Sequence, residues 1–198
     1  MKALTIAFYL LLSACSLAQL TEAETLAHRT EHEAEIADTS NHILDSLEQI
    51  NWQGLDYFEF DTTYQITARF KKRRGRKFEM PTSTDRLPVY RRFGYIYFTI
   101  EGKEHQLTIY QNVELTKEDG YEDYLFIPFR DVTSGKETYG GGRYLDIRIP
   151  DGKEILIDFN QCYNPYCAYS HKWSCPIPPA ENTLKTSIKA GEKNPLAH

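Results

Sequence analysis

The fold of this chain is decided by residues 129–179, which read FRDVTSGKETYGGGRYLDIRIPDGKEILIDFNQCYNPYCAYSHKWSCPIPP. The stretch contains three consecutive glycines, two segments in which aliphatic and polar residues alternate, and three of the four cysteines of the chain. Alternation with a period of two is typical of strands that bury one face. No motif within the stretch identifies a reaction. It therefore predicts β structure without predicting an activity.

The two alternating segments predict a β-hairpin. A type I turn over residues 150–152, with Gly152 in the left-handed conformation, would bring Ile147 opposite Ile155. The same register brings Leu145 opposite Ile157. Both strands then direct their aliphatic side chains to one face of the sheet, and Arg143 lies at the end of that inner face.

Residues 96–109 predict a second hairpin. A two-residue type II′ turn at Gly102 and Lys103 would place Ile96 opposite Ile109, because glycine suits the first central position of that turn. Phe98 then lies opposite Leu107. The aliphatic residues of both strands again share one face.

Two further segments predict strands, and one predicts a helix. Residues 64–70 alternate with a period of two, and residues 124–127 form an apolar run that Pro128 should end or bulge. Apolar residues recur near helical spacing over residues 31–48, which indicates an amphipathic helix. The predicted fold is mainly β, an antiparallel sandwich or a partly open barrel with an N-terminal amphipathic helix.

Residues 71–77, KKRRGRK, form the one dense basic run of the chain. Such a run could meet anionic lipid head groups or polyanions. A charged turn between two strands explains the same residues, because strand ends must emerge into water. The sequence favours the turn.

The amino terminus predicts export and a lipid anchor. One positive residue, Lys2, precedes a short apolar run over residues 3–12, as in export signals. The following Leu12-Ser13-Ala14-Cys15 resembles the lipobox of bacterial lipoproteins, in which the cysteine receives a lipid and becomes the new terminus. An ordinary cleaved signal peptide is the alternative. The predicted organisation is a signal peptide over 1–14, a tether over 15–30 and a single β-rich domain over 31–198, held on the bacterial envelope at the outer membrane.

The charge of the chain excludes one class of partner. A formal net charge of -5 gives no global attraction to phosphate backbones, so nucleic acid is not an expected partner. The expected partners are the membrane, through Cys15, and an unknown small ligand or envelope protein. Three histidines lie among carboxylates in the N-terminal segment, at 28, 32 and 42, but without ligand spacing for a metal. No metal or other cofactor is predicted.

An ordered series of short motifs runs through the region from Leu55 to Lys193: Phe129-Arg130-Asp131, Thr133-Ser134-Gly135, Glu137-Thr138-Tyr139-Gly140, Gly142-Arg143, Asp158-Phe159-Asn160, Asn164-Pro165, Cys167-Ala168, Cys175-Pro176, Pro178-Pro179 and Ala190-Gly191-Glu192. This series resembles the bacterial family catalogued as domain of unknown function 1684. The resemblance implies no activity, because the family is named for lacking one. The chain departs from the family at Cys162, where a small residue is expected, and it lacks an additional amino-terminal β region that longer members carry.

Ionisable and polar residues at the predicted strand ends are the candidate ligand site: Arg130, Asp131, Glu137, Tyr139, Arg143, Asp158 and Asn160. Two arginines on neighbouring segments could grip a carboxylate or phosphate in a bidentate way. Buried ion pairs that only fix a loop are the structural alternative. We therefore expect a non-enzymatic binding module for a small anionic or glycan-like ligand or a partner protein. The alternative is a hydrolase that uses Asp131, Glu137 and Asp158.

The later cysteines allow two arrangements. In an exported protein, a disulfide between Cys167 and Cys175 is the first expectation and leaves Cys162 unpaired. A zinc site formed by the three cysteines and His171 is the alternative, although its spacing fits no common zinc pattern. The sequence favours the disulfide.

Overall fold

The computed structural model describes residues 19–195, and its regular elements are two α-helices and seven strands. The helices are α1 (Glu22–Ala37) and α2 (Ser46–Asn51). The strands are β1 (Gln65–Lys72), β2 (Lys77–Glu79), β3 (Val89–Ile100), β4 (Lys103–Asn112), β5 (Tyr124–Phe129), β6 (Arg143–Arg148) and β7 (Glu154–Asp158). Neither helix in this range is long and apolar enough to cross a membrane. The predicted signal peptide and Cys15 lie outside the described residues.

The strands form one antiparallel sheet in the order β6-β5-β4-β3-β1-β7, with β2 paired to β3 beside this path. The sheet is strongly curled, so that the described part of the chain is a half-barrel with few helices. This arrangement confirms the predicted mainly β class in its partly open form. The two ends of the strand order are β6 and β7, which are consecutive along the chain.

The predicted hairpin of β6 with β7 is therefore wrong. β6 pairs with β5, where Leu145 lies opposite Ile127, and β7 pairs with β1, where Ile157 lies opposite Ile66. The alternation correctly indicated that Leu145 and Ile157 face the core. Alternation does not determine which strands are neighbours, because any strand with an apolar inner face can pair with them. The residues between β6 and β7 connect the two opposite ends of the sheet.

The predicted hairpin of β3 with β4 exists, with a register that differs by two residues. Ile96 lies opposite Leu107 rather than Ile109, because the turn is formed by Glu101 and Gly102. Both turn residues have positive φ, 50° and 74°, which is typical of a type I′ turn. A shift of two residues keeps every side chain on its predicted face.

The expectation that Pro128 ends or bulges its strand is wrong. β5 continues to Phe129, and Pro128 lies opposite Tyr144 of β6. Only one residue pair, Tyr110 opposite Phe126, joins β4 to β5. Pro128 therefore has no paired residue on β4. Proline is tolerated at such positions because no ladder donor is needed there.

The predicted helix over residues 31–48 is replaced by two shorter helices. α1 begins at Glu22, inside the predicted tether, because Thr21 and Glu24 form a capping box. It ends at Ala37, and His42 then adopts a left-handed conformation with φ of 52°. The helix packs through Ile36, which is fully buried.

The C-terminal strap, which we define as residues 159–195, packs against both faces of the sheet. On the inner face, Leu184, Ile188 and Ala190 join the main core. On the outer face, Cys167 and Cys175 join a second cluster. That cluster includes Tyr90, Tyr110, Phe126 and Tyr144 from the strands. The strap thus covers the outer face at β4, β5 and β6.

Candidate functional site

Arg143, at the start of β6, is buried and binds the strap. Its Nη2 donates to the carbonyl of Ile188 at 2.8 Å, and its Nη1 donates to the carbonyls of Ala190 and Glu192. The side chain is 1% exposed, and its Nη2 lies 3.5 Å from Oδ1 of Asp131. Because both Nη atoms donate to carbonyls of the strap, the guanidinium holds the strap on the sheet, although its Nε has no partner among the described residues.

Asp131, which follows β5, completes this network. Its carboxylate accepts hydrogen bonds from the hydroxyls of Thr133 and Ser134 and from the backbone N–H of Ile188, the last at 2.7 Å. The Asp131 side chain is fully buried. Buried charges are tolerated when they are paired and hydrogen-bonded, and both conditions hold here. The predicted pair of Asp131 with Arg143 exists as the loop-fixing ion pair that the sequence left open as an alternative.

Asp158 and Asn160 form a second buried network. The Asp158 carboxylate accepts from the Asn160 side chain at 2.8 Å and from the Gln65 side chain at 2.9 Å. Asn160 also exchanges hydrogen bonds with the backbone of Asp61, and its carbonyl accepts from Arg29 of α1. These contacts connect α1 to the end of β7.

Glu137, Tyr139 and Arg130 lie nearer the surface. Glu137 forms an exposed ion pair with Lys189 at 2.7 Å. The Tyr139 hydroxyl lies 3.9 Å from Sγ of Cys167, and burial raises the pKa of Tyr139 to about 12. Arg130 is half-buried and donates to the Pro178 carbonyl at 3.3 Å. The seven candidate residues thus occupy several separate hydrogen-bond networks instead of one site.

Sequence reasoning missed a buried pair formed by Glu192 and His32. The Glu192 carboxylate accepts from the backbone and side-chain nitrogens of Asn164 at 2.8 and 3.0 Å. Burial raises the pKa of Glu192 to about 8. Nε2 of His32 lies 4.0 Å from that carboxylate, and burial lowers the pKa of His32. The Ala190-Gly191-Glu192 motif pointed to Glu192. It gave no indication of His32, which lies in α1.

A cleft of about 560 Å³ is lined in part by Pro178, whose carbonyl accepts the hydrogen bond from Arg130. We call it the Arg92 cleft; its lining is Gly75, Arg76, Phe78, Pro81, Arg92, Tyr110, Ile177, Pro178, Pro179, Ala180 and Glu181. Arg92 and Tyr110 lie opposite each other on β3 and β4. The Tyr110 hydroxyl donates to Glu181 at 2.7 Å, whereas Nε of Arg92 is buried without a hydrogen-bond partner among the described residues. A larger cavity of about 1030 Å³ lies between the diverging ends of β6 and β7.

The predicted disulfide is absent, because Cys162, Cys167 and Cys175 are all free thiols. Cys167 and Cys175 are nevertheless neighbours, since the backbone N–H of Cys167 lies 3.2 Å from Sγ of Cys175. A hydrogen bond between the two thiol side chains lowers the pKa of Cys167 to about 6. Cys162 lies apart, with Sγ 3.4 Å from the Ala190 carbonyl, and burial raises its pKa to about 11.

The predicted zinc alternative is not supported, because no three potential metal ligands lie close together within residues 19–195. Cys162 is fully buried, and His171 is exposed on the strap. A tetrahedral site needs its four ligands at one point. The two cysteines that are neighbours therefore form a thiol pair without the other two proposed ligands.

The curled antiparallel sheet, with a strap that a buried arginine holds against it, is a small half-barrel β domain. Residues 50–193 match the family described as "Protein of unknown function (DUF1684)", and the chain belongs to that family. It is similar to the solution NMR structure of the uncharacterized protein from gene locus rrnAC0354 of Haloarcula marismortui. The two are 32% identical with a TM-score of 0.67, over 89% of this chain and 96% of the other. No curated protein matches the sequence.

Proposed function

We propose that this protein is a non-enzymatic binding module of the cell envelope, which takes a small anionic ligand in the Arg92 cleft. The supporting observation is the pair of arginines, Arg76 and Arg92, that line it. Neither forms an ion pair with a carboxylate among the described residues, and Nε of Arg92 lacks a partner. A phosphate or carboxylate would satisfy these donors in the bidentate geometry that arginine offers.

The rest of the lining suggests what else the ligand carries. Phe78, Tyr110, Ile177 and Pro179 provide apolar and aromatic walls, and Glu181 provides an acceptor for hydroxyl groups. Pockets of about 300–1,000 Å³ with apolar walls and a few polar groups are typical of small-molecule sites. An anionic ligand with a ring or glycan-like body fits this combination. The site differs from the first expectation, since it shares the Arg130 end of the domain but not the buried Arg143.

The hydrolase alternative has no support from the surroundings of its carboxylates. Asp131 and Asp158 are buried in separate networks, and Glu137 is exposed beside Lys189. General acid and base groups need to face one reacting bond. We therefore do not propose hydrolysis.

The location we propose is the outer membrane of a bacterial envelope, with a lipid attached at Cys15. Acyl chains contribute about 0.8 kcal/mol per buried methylene, so a multiply acylated terminus would hold the domain without a membrane-spanning helix. An envelope protein remains the second proposed partner. A Cys15→Ala variant should move from the membrane fraction to the soluble one, and unchanged membrane association would contradict the anchor.

Thermal unfolding with a panel of small anions tests the binding site. The panel contains phosphate, sugar phosphates, uronic acids and short carboxylic acids. A ligand at about 100 times its Kd should stabilise the protein by about 2.7 kcal/mol. Arg92→Gln should abolish this shift. Arg148→Gln is the matched control, because Arg148 is exposed and paired with Asp123 away from the cleft. The proposal fails if no member of the panel stabilises the protein, or if Arg92→Gln keeps the effect.

A further inference from the structure

The outer face of β1 and β3 carries a ladder of basic and aromatic side chains. Arg69 lies opposite Tyr97, with its guanidinium carbon 4.1 Å from the ring centre. Lys71 lies opposite Tyr95 one step further along the same face. The two tyrosine rings are 6.3 Å apart, and Arg92 lies 5.2 Å from the Tyr95 ring. Cations and rings thus alternate along two neighbouring strands.

The turn after β1 extends this ladder. We define the basic ladder as Tyr95 and Tyr97 with the nine basic residues Arg69, Lys71, Lys72, Arg73, Arg74, Arg76, Lys77, Arg91 and Arg92. Seven of these cations, all but Arg91 and Arg92, are exposed. Lys72 and Arg74 lie 5.1 and 5.3 Å from the ring of Phe93, where β3 is bulged. The cations are spread along two strands and a turn, which suits an extended anionic surface.

The cations of the basic ladder have no carboxylate at ion-pair distance in the described part of the chain. Within residues 19–195, none of its nine cations forms an ion pair. The sequence contains no aspartate or glutamate over residues 65–78 or 89–100. Glu154 of β7 lies opposite Arg69 but forms no ion pair with it among the described residues. A chain with a net charge of -5 therefore concentrates unpaired positive charge on β1, β3 and the turn after β1.

The basic ladder also lies on the strand from which the chain leaves toward its amino terminus. Gln19 donates to the carbonyl of Gln65 at 3.4 Å, and the Gln65 side chain donates to the carbonyl of Leu20 at 2.7 Å. Gln65 is the first residue of β1. Residues 19 and 20 therefore lie beside the start of the strand that carries Arg69 and Lys71.

We propose that the basic ladder lies on a bilayer surface that contains anionic phospholipid. Basic clusters beside a membrane gain about fivefold in affinity for each lysine or arginine near the surface. Tyrosine rings are favoured at head-group depth. A lipid on Cys15 would hold the domain near the bilayer, and residue 19, four residues later, contacts the start of β1. The attraction does not depend on that lipid, and the ladder residues Arg69, Lys71 and Arg73 do not line the Arg92 cleft.

Vesicle binding of the full chain with Cys15→Ala tests this attraction without the anchor. The protein is sedimented with vesicles of phosphatidylcholine alone or mixed with phosphatidylglycerol. Binding should require phosphatidylglycerol and should weaken steeply as salt is raised, because exposed charges are screened. Binding that is equal on both vesicles, or absent on both, would overturn the proposal.

Charge variants locate the contact. Arg69→Gln, Lys71→Gln and Arg73→Gln together should weaken vesicle binding about a hundredfold. The control replaces three exposed lysines elsewhere by glutamine: Lys103, Lys136 and Lys185. Equal loss in both triple variants would overturn the assignment of the contact to this face. Circular dichroism of both variants checks that they are folded.

Two further measurements distinguish a bilayer contact from a polyanion site and from the Arg92 cleft. A soluble anionic polysaccharide is tested in parallel, and saturable binding to it without vesicle binding would show a polyanion site instead of a bilayer contact. The ladder variant retains Arg76 and Arg92, so its thermal response to the small-anion panel should be unchanged. Loss of vesicle binding with that response intact distinguishes the ladder from the Arg92 cleft.

Discussion

Replacement of Arg143 by methionine should be the most damaging single change at the surface where the strap meets the sheet. Methionine fills a similar volume but removes the guanidinium donor from the carbonyls of Ile188, Ala190 and Glu192. It also leaves the Asp131 carboxylate without its cation. Removal of one partner from a buried ion pair costs about 3–5 kcal/mol. We expect a loss near the upper end of that range, because the carbonyls lose their partner as well.

The assay is urea unfolding followed by circular dichroism, together with a thermal melt. For a domain of 150–250 residues, about 1 kcal/mol lowers Tm by about 2–4 °C, so Arg143→Met should lower it by roughly 10–20 °C. Arg130→Met is the matched control, because Arg130 is half-buried and makes one hydrogen bond of 3.3 Å. It should cost about 1 kcal/mol or less.

A double-mutant cycle tests the reason for the loss. Asp131→Asn removes the charge that Arg143→Met leaves unpaired, so the double variant should be more stable than the sum of the two losses. Coupling between contacting residues is typically about 0.5–3 kcal/mol. Purely additive losses, or an Arg143→Met variant as stable as Arg130→Met, would refute the assignment of Arg143 to the strap.

Three further predictions concern the strap and its surroundings. Gly191→Ala should destabilise the protein much more than Gly102→Ala in urea unfolding, although both have positive φ, because a Cβ at Gly191 would lie 2.4 Å from the Cys162 sulfur and one at Gly102 meets nothing within 4 Å. Iodoacetamide at neutral pH should alkylate Cys167 well before Cys162 in the native protein, since the pKa is lowered to about 6 at the first and raised to about 11 at the second; mass spectrometry of peptides checks the order. The raised pKa of Glu192 means that the folded state holds a proton that the unfolded state releases above its usual pKa of 4.5. This contribution to stability is therefore fully present below pH 4.5 and is lost as the pH rises through about 8, so urea unfolding of wild type and Glu192→Gln should show a steeper fall over that range in the wild type.

The strands were predictable because their signal is local. Leu145 and Ile157 were placed on the core face by alternation alone, and that placement is confirmed. Strand partners were not predictable, since the choice depends on chain segments far apart in sequence. β7 pairs with β1, about ninety residues earlier, and no property of residues 154–158 specifies that partner.

In the candidate site, too, the residues were predictable and their partners were not. Asp131, Arg143, Asp158 and Asn160 were singled out as polar residues at strand ends, and all four are buried in hydrogen-bond networks. What the sequence could not supply was the identity of their partners. Arg143 binds backbone carbonyls of the strap, and Asp131 accepts from a backbone N–H there. Every residue has such groups, so no pattern of side chains reveals them.

The buried network and the Arg92 cleft are connected through the strap. Pro178, which forms part of the cleft wall, accepts a hydrogen bond from Arg130. Gly142, next to Arg143, allows that contact, because a Cβ there would lie 2.7 Å from the Pro178 ring and 2.6 Å from the Phe129 carbonyl. The strap therefore contacts the sheet at the edge of the cleft as well as inside the core. The residues that hold the strap thus position the cleft wall without contacting a ligand. The cleft forms only when the strap is folded onto the sheet, because residues 177–181 of the strap line it.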